Sequence, residues 1–253
     1  MSETELWTGE LALLLAAGFG CGVLNTLAGG GSLIAVPLLV LLGLPGTIAN
    51  GTNRIGVLVQ NIVATWRFRA QGISEFRRAA PVIAPVVMGS VIGAAFISSV
   101  SDATFERLFG MIMLLLLVPT LRNFTARAST ARPVKSWSPA ALALTFFGIG
   151  LYGGSLQAGV GIPLLFALSR TGLDLVRSNA TKVLVIAALT LTAAPVFIWR
   201  NQVAWLPAIA LAAGYAVGGA VGASLAIRGG ERLIRPVIGL AILGFAGRMF
   251  GLY

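Results

Sequence analysis

The chain has 253 residues, 57% of them hydrophobic and 10% charged, with a mean hydropathy of +0.92 and a net charge of +10. Uncharged runs at 11–53, 79–101, 136–169 and 201–227 each exceed the roughly 20 apolar residues that cross a bilayer, which excludes a soluble globule. A single cysteine, Cys21, excludes an internal disulfide, and the lack of histidine removes the commonest metal ligand and proton shuttle, so no cofactor is expected.

The basic residues flank the apolar runs instead of lining one polar face. They read as a membrane orientation signal, and no nucleic-acid partner is expected. The lipid bilayer is the partner that the composition demands, with room for a homo-oligomer.

In chain order, the first ten residues carry Glu3, Glu5 and Glu10, unlike the basic start of a secretory signal. Residues 11–43 then form one apolar stretch interrupted by Gly29, Gly30 and Gly31 and closed by Leu44-Pro45-Gly46. One straight helix of that length would measure roughly 50 Å against a hydrocarbon core of about 30 Å. A helical hairpin broken at the glycines fits better. Further spans are expected near 48–66, 78–99 and 105–121, followed by a basic linker at 122–138.

The second part repeats the order, with a glycine-rich stretch at 140–168 and spans near 178–199, 203–227 and 232–250. Gly18, Gly20, Gly29 and Gly31 match Gly148, Gly150, Gly159 and Gly161 at an offset of 130. Asn50 and Thr52 match Asn179 and Thr181 at 129, and Glu106-Arg107-Leu108 matches Glu231-Arg232-Leu233 at 125. The expected fold is therefore an all-α polytopic membrane protein with a first repeat at 1–121, a cytoplasmic linker at 122–138 and a second repeat at 139–253.

Charge sets the handedness of the duplication. If each broken stretch folds back to the side it came from, each half crosses an odd number of times and the halves are inverted. With loop 67–78 inside, 14 basic residues fall inside and 4 outside; if each broken stretch crosses once, 8 fall outside. The inverted arrangement is expected, with both termini on the outer, periplasmic side of the cell inner membrane.

Two segments carry a family resemblance. The first is Gly20-Cys21-Gly22-Val23-Leu24-Asn25-Thr26-Leu27-Ala28-Gly29-Gly30-Gly31-Ser32-Leu33-Ile34-Ala35-Val36-Pro37, completed by Ala49-Asn50-Gly51-Thr52-Asn53-Arg54. The second is Gln157-Ala158-Gly159-Val160-Gly161-Ile162-Pro163-Leu164-Leu165 with Asn179-Ala180-Thr181-Lys182. They resemble the TauE/SafE family of membrane proteins, also called the sulfite exporter or TSUP family. The resemblance covers nearly the whole chain. It implies an inner-membrane transporter for sulfur-containing anions such as sulfite, sulfoacetate or another sulfonate, mostly in export.

A broken helix frees backbone N–H groups and a positive dipole end at membrane depth, which suits an anionic substrate. The candidate binding residues therefore surround the breaks: Asn25, Gly30 and Gly31 at the first, Ser155, Gln157 and Gly159 at the second. Asn50, Thr52, Asn53, Asn179 and Thr181 are expected at helix starts, where capping is the alternative role. Arg54 and Lys182 lie inside apolar spans, where a cation needs a partner or must snorkel to the interface; Asp174 is the nearby acid for Lys182. Gln60 and Asn61 are expected to line the pathway or bridge helices, and Trp66, Trp199 and Trp205 to sit at span ends.

An enzyme is disfavoured, because no histidine and no membrane carboxylate pair is present to activate a nucleophile. A secondary transporter or facilitator working by alternating access is the expected function. A scaffold for other membrane proteins, or a transporter of carboxylate anions, is the alternative.

Overall fold

A computed structural model describes residues 3–121 and 137–228. The described residues form nine helices and no strand. In the first half these are α1 (Glu3–Ala28), α2 (Ser32–Leu41), α3 (Gly46–Ala70), α4 (Phe76–Ile97) and α5 (Asp102–Leu121). The second half contributes α6 (Pro139–Ser155), α7 (Gly161–Ser169), α8 (Leu175–Trp199) and α9 (Trp205–Ile227). Residues 122–136 of the expected linker, the expected span at 232–250 and the Glu231-Arg232-Leu233 match lie outside the described residues.

Among the described residues, four helical segments are long and apolar enough to cross a bilayer: Gly9–Ala28 within α1, α4, α8 and α9. Their outward surfaces carry Leu15, Met88, Phe96, Leu191 and Ile209, all exposed, whereas Asn53, Arg54, Gln60, Asn61 and Lys182 are buried. This inverts the soluble pattern and is what a hydrocarbon solvent selects. Trp66, Trp199 and Trp205 are exposed near or at the ends of α3, α8 and α9.

Both broken stretches double back. α1 ends at Ala28, and Gly29 follows with φ +79°, a left-handed conformation open to glycine. Gly31 then lies against Cys21 and Asn25 of α1, so the chain has reversed before α2 begins. In the second half the break spans residues 156–160; Gln157 (φ 57°) and Gly159 (φ 64°) turn the chain, and Val160 packs back against Gly153. A left-handed glutamine costs energy that a glycine would not, about 1–2 kcal/mol. α2 and α7 have 10 and 9 residues, or roughly 15 Å, half the hydrocarbon core.

The halves exchange partners. α1 packs chiefly along α9, and α6 along α4, so the first helix of each half lies on a later helix of the other. Both pairs are close-packed through glycines. A Cβ on Gly18 or Gly214 would lie 2.4 or 2.1 Å from a carbonyl oxygen of the facing helix, and one on Gly93 or Gly154 would lie 2.1 Å from such an oxygen. Such contacts let helix backbones approach where lipid supplies no hydrophobic drive. Of the matched glycines, Gly20 and Gly148 have nothing within 4 Å, and the packed glycines are Gly18 and Gly22 on α1, Gly150 and Gly154 on α6. Helix packing repeats every four residues, not every two.

Between these pairs, α3 packs against α8. The expectation that the N-x-T segments begin helices is corrected. α3 starts at Gly46 after the extended Pro45, and α8 starts at Leu175, where Asp174 accepts from Arg177 N at 3.0 Å. Asn50 and Asn179 thus both sit one turn inside, at the fifth helical residue. Pro45 and the Asp174 cap each end the preceding turn earlier than the N-x-T pattern suggests.

Candidate functional site

Arg54 lies eight residues into α3 and Lys182 seven residues into α8, about 10–12 Å along each axis. Both are 0% exposed, so neither snorkels. Each cation reaches the carbonyl end of a broken helix from the other half. Arg54 donates from Nη1 to Gly153 O (3.2 Å) and from Nη2 to Gly154 O (2.6 Å) and Ser155 O (2.8 Å), the last turn of α6. Its guanidinium also stacks 4.4 Å from the Phe197 ring centroid. Lys182 Nζ donates to Asn25 O (3.2 Å) and Thr26 O (2.6 Å), the last turn of α1, and to Asn179 Oδ1 (2.8 Å).

The chemistry explains the placement. The last carbonyls of a helix have no intrahelical donor and carry about half a negative charge, and a buried cation there satisfies both deficits. Asp174, the acid nearest Lys182, instead pairs with Arg177 at 3.4 Å.

The two breaks meet. A Cβ on Gly29 would stand 2.2 Å from Gly161 Cα, and one on Gly161 would stand 2.3 Å from Gly29 Cα. Only glycine at both positions allows this backbone contact.

Around the first break runs a polar chain. Asn25 Nδ2 donates to Gln60 Oε1 (2.6 Å), Gln60 Nε2 to Thr26 Oγ1 (2.7 Å), and Asn61 Nδ2 to Gln60 Oε1 (3.1 Å). Gln60 therefore ties α3 to the end of α1, while Asn61 bonds only within α3, to Gln60 and to Val57 O (2.7 Å). Gly30 O accepts from Leu33 N at 3.0 Å as α2 begins. Asn53 Nδ2 donates to Ser32 Oγ (3.0 Å) and its Oδ1 accepts from Tyr215 O–H (3.0 Å), with the Tyr215 ring seated against Gly56.

Around the second break, Asn50 Nδ2 donates to Ser155 O at 2.9 Å, sharing that acceptor with Arg54. Gln157 Nε2 donates to Thr190 Oγ1 at 2.6 Å, and the Ser155 hydroxyl donates to Leu151 O (2.8 Å) and Gly93 O (3.1 Å). Asn50 Oδ1, Arg54 Nε and Gln157 Oε1 are buried with no partner.

Of the residues singled out in the sequence, Asn25, Asn179 and Lys182 gather at the first break, and Asn50, Arg54, Ser155 and Gln157 at the second. The two threonines do not join them. Thr52 Oγ1 accepts from Ala204 N at 2.9 Å at the start of α9, and Thr181 donates to Arg177 O (2.8 Å) within its own helix. Missed in the sequence were Tyr215 and Thr190. Each is a polar residue within an apolar stretch of its helix, a signal visible in the sequence but without a partner until the chain folds. No group of three metal-ligating side chains is found among the described residues.

Known proteins agree with this membrane architecture. Residues 14–249 match the family model described as sulfite exporter TauE/SafE. A probable membrane transporter protein of Haemophilus influenzae is 26% identical, over 90% of this chain and 89% of its own length. The probable membrane transporter protein YfcA of Escherichia coli K12 is 25% identical over 90% of this chain and 85% of its own, and a Sinorhizobium probable membrane transporter protein, ORF9, is 23% identical over 94% and 92%. No solved structure matches. With a family match running almost end to end over a chain of buried polar groups and apolar outward faces, this multi-pass membrane protein belongs to the sulfite exporter TauE/SafE family of membrane transporters.

Proposed function

We propose that the chain is a secondary transporter or facilitator that exports small sulfur-containing anions, such as sulfite, sulfoacetate or another sulfonate, by alternating access at the junction of the two breaks. The observation that carries this reading is the crossed capping. Arg54 and Lys182 neutralise the carbonyl ends of α6 and α1, while the N-terminal ends of α2 and α7 have no side-chain cap. With the negative poles cancelled and the positive poles left, the junction is electropositive at membrane depth.

The halves are read as inverted repeats, 1–121 and 139–253, joined by a cytoplasmic linker, with both termini outside. The exchanged helix pairs and the reciprocal cation caps support a twofold relation. Because Arg54 and Lys182 are buried, they leave the count of interfacial charges, and 13 basic residues inside against 3 outside remain. An inside-negative potential then drives anion efflux by about 2.3 kcal/mol per charge per 100 mV.

Purified protein in liposomes tests this through anion flux under an imposed potential, with and without a pH gradient. Flux of sulfite or a sulfonate that follows the potential is expected. Flux that follows pH and ignores potential overturns the facilitator mechanism, and absence of flux for every sulfur anion overturns the substrate class.

A further inference from the structure

The two breaks differ in how fully their hydrogen bonds are made. At the first, the three protons of Lys182 Nζ meet three acceptors, Asn25 O, Thr26 O and Asn179 Oδ1. Among the described residues, no polar side-chain atom of Asn25, Asn179 or Lys182 is buried without a partner, and of the polar chain beside them only Asn61 Oδ1 is buried and unpaired. At the second, Asn50 Oδ1, Arg54 Nε and Gln157 Oε1 are all buried and unpaired.

Two of these atoms share one locality, because Asn50 and Arg54 both donate to Ser155 O, at 2.9 and 2.8 Å. The Asn50 amide must turn its N–H toward that carbonyl, so its unpaired atom is the oxygen, an acceptor. Gln157 lies two residues along the same break; with one amide atom committed to Thr190, the other is unpaired whichever way the amide is set. A buried unpaired polar group costs about 1–3 kcal/mol, and several within one break mark a place where a ligand completes the bonding.

We infer that substrate recognition belongs to the second break, and that the transported anion carries a hydrogen-bond donor of its own. This rests on the anion reading above and narrows it. Arg54 Nε is a donor and takes an anionic oxygen. Asn50 Oδ1 is an acceptor, and a fully deprotonated, unsubstituted sulfonate has only acceptors to offer it. The ligand class that satisfies both is a small anion bearing an O–H or N–H: a hydroxyl- or amino-substituted sulfonate, or an oxyanion that keeps a proton. Lys182, with its protons committed to Asn25 O, Thr26 O and Asn179 Oδ1, is a positioning residue.

The test compares 2-hydroxyethanesulfonate with ethanesulfonate, which differ by one hydroxyl, in equilibrium binding to the full-length protein in detergent. The hydroxylated anion is expected to bind about tenfold more tightly, the equivalent of one well-made hydrogen bond. In Asn50→Ala or Gln157→Ala that ratio is expected to fall toward one. The wild-type ratio needs no variant and stands as the test even where a variant misfolds. Equal binding of the two anions by wild type overturns the donor requirement and leaves the anion reading standing. A ratio that survives in both variants overturns the assignment to the second break. Binding of neither anion, nor of sulfite, overturns the anion reading and this inference with it.

Discussion

Gly29 and Gly161 touch backbone to backbone, each where a Cβ would come within 2.3 Å of the other's Cα. They sit 132 residues apart in the chain, one in each half, and their contact brings the two breaks to a single junction. Gly29→Ala is expected to fail twice, because it adds a side chain at φ +79° and drives it into Gly161. Overpacking costs about 1–3 kcal/mol and the left-handed backbone about 1–2 more. Thermal unfolding in detergent and liposome flux should both drop for Gly29→Ala and for Gly161→Ala, while Gly148→Ala, which meets nothing within 4 Å, leaves both unchanged.

Arg54 and Lys182 are expected to differ under conservative exchange. Arg54 meets three carbonyls with two separate nitrogens, a fork that an ammonium cannot reproduce. Arg54→Lys keeps the charge, yet flux should fall by about tenfold or more, the value of one buried charged hydrogen bond. Arg54→Ala and Lys182→Ala should abolish flux and lower the melting temperature. Normal transport by both alanine variants would remove these cations from the proposed anion site.

The glycine contacts between α1 and α9, and between α4 and α6, predict a positional rule. Gly218→Leu and Gly93→Leu place a side chain where a Cβ alone would lie 2.2 and 2.1 Å from a facing carbonyl oxygen. Each should destabilise the protein by at least the 1–3 kcal/mol typical of overpacking. Leucine at Gly148, exposed and without neighbours, should be tolerated, as read by size-exclusion profile and thermal unfolding.

Thr52 is expected to act in stability alone. Its hydroxyl accepts from Ala204 N at 2.9 Å and so serves the start of α9. Thr52→Val keeps the shape and removes the acceptor, for a loss of about 1 kcal/mol. Thermal unfolding should register that loss, while the affinity for any transported anion stays as in wild type.

Much of the fold was legible because a bilayer imposes strong rules on a sequence. Uncharged runs of span length, glycines at 29–31 and at 159 and 161, and basic residues at the run ends each follow from the cost of exposing polar groups to hydrocarbon. The expected spans at 78–99 and 203–227 fall within two residues of α4 and α9 at each end. Helix starts were less legible. Asn50 and Thr52 look like caps by residue type, yet Pro45 starts the helix a turn earlier, and Thr52 caps a helix more than 150 residues away.

The candidate site divides in the same way. Residue type and position single out Arg54, Lys182, Asn25, Asn50 and Gln157, because polar groups in apolar spans need partners. What they bond to does not follow from type. That Arg54 reaches the end of α6 and Lys182 the end of α1, each across to the other half, depends on how the halves interlock. So does the difference between a first break whose lysine has an acceptor for each proton and a second with three unpaired atoms. The sequence by itself determined that this chain lives in a membrane as apolar helices with two interruptions, since burial in lipid is a local rule acting on each segment. Only the tertiary structure decided that the interruptions meet at Gly29 and Gly161 and which cation caps which helix, since those contacts join residues more than 90 positions apart and exist only once the helices have packed.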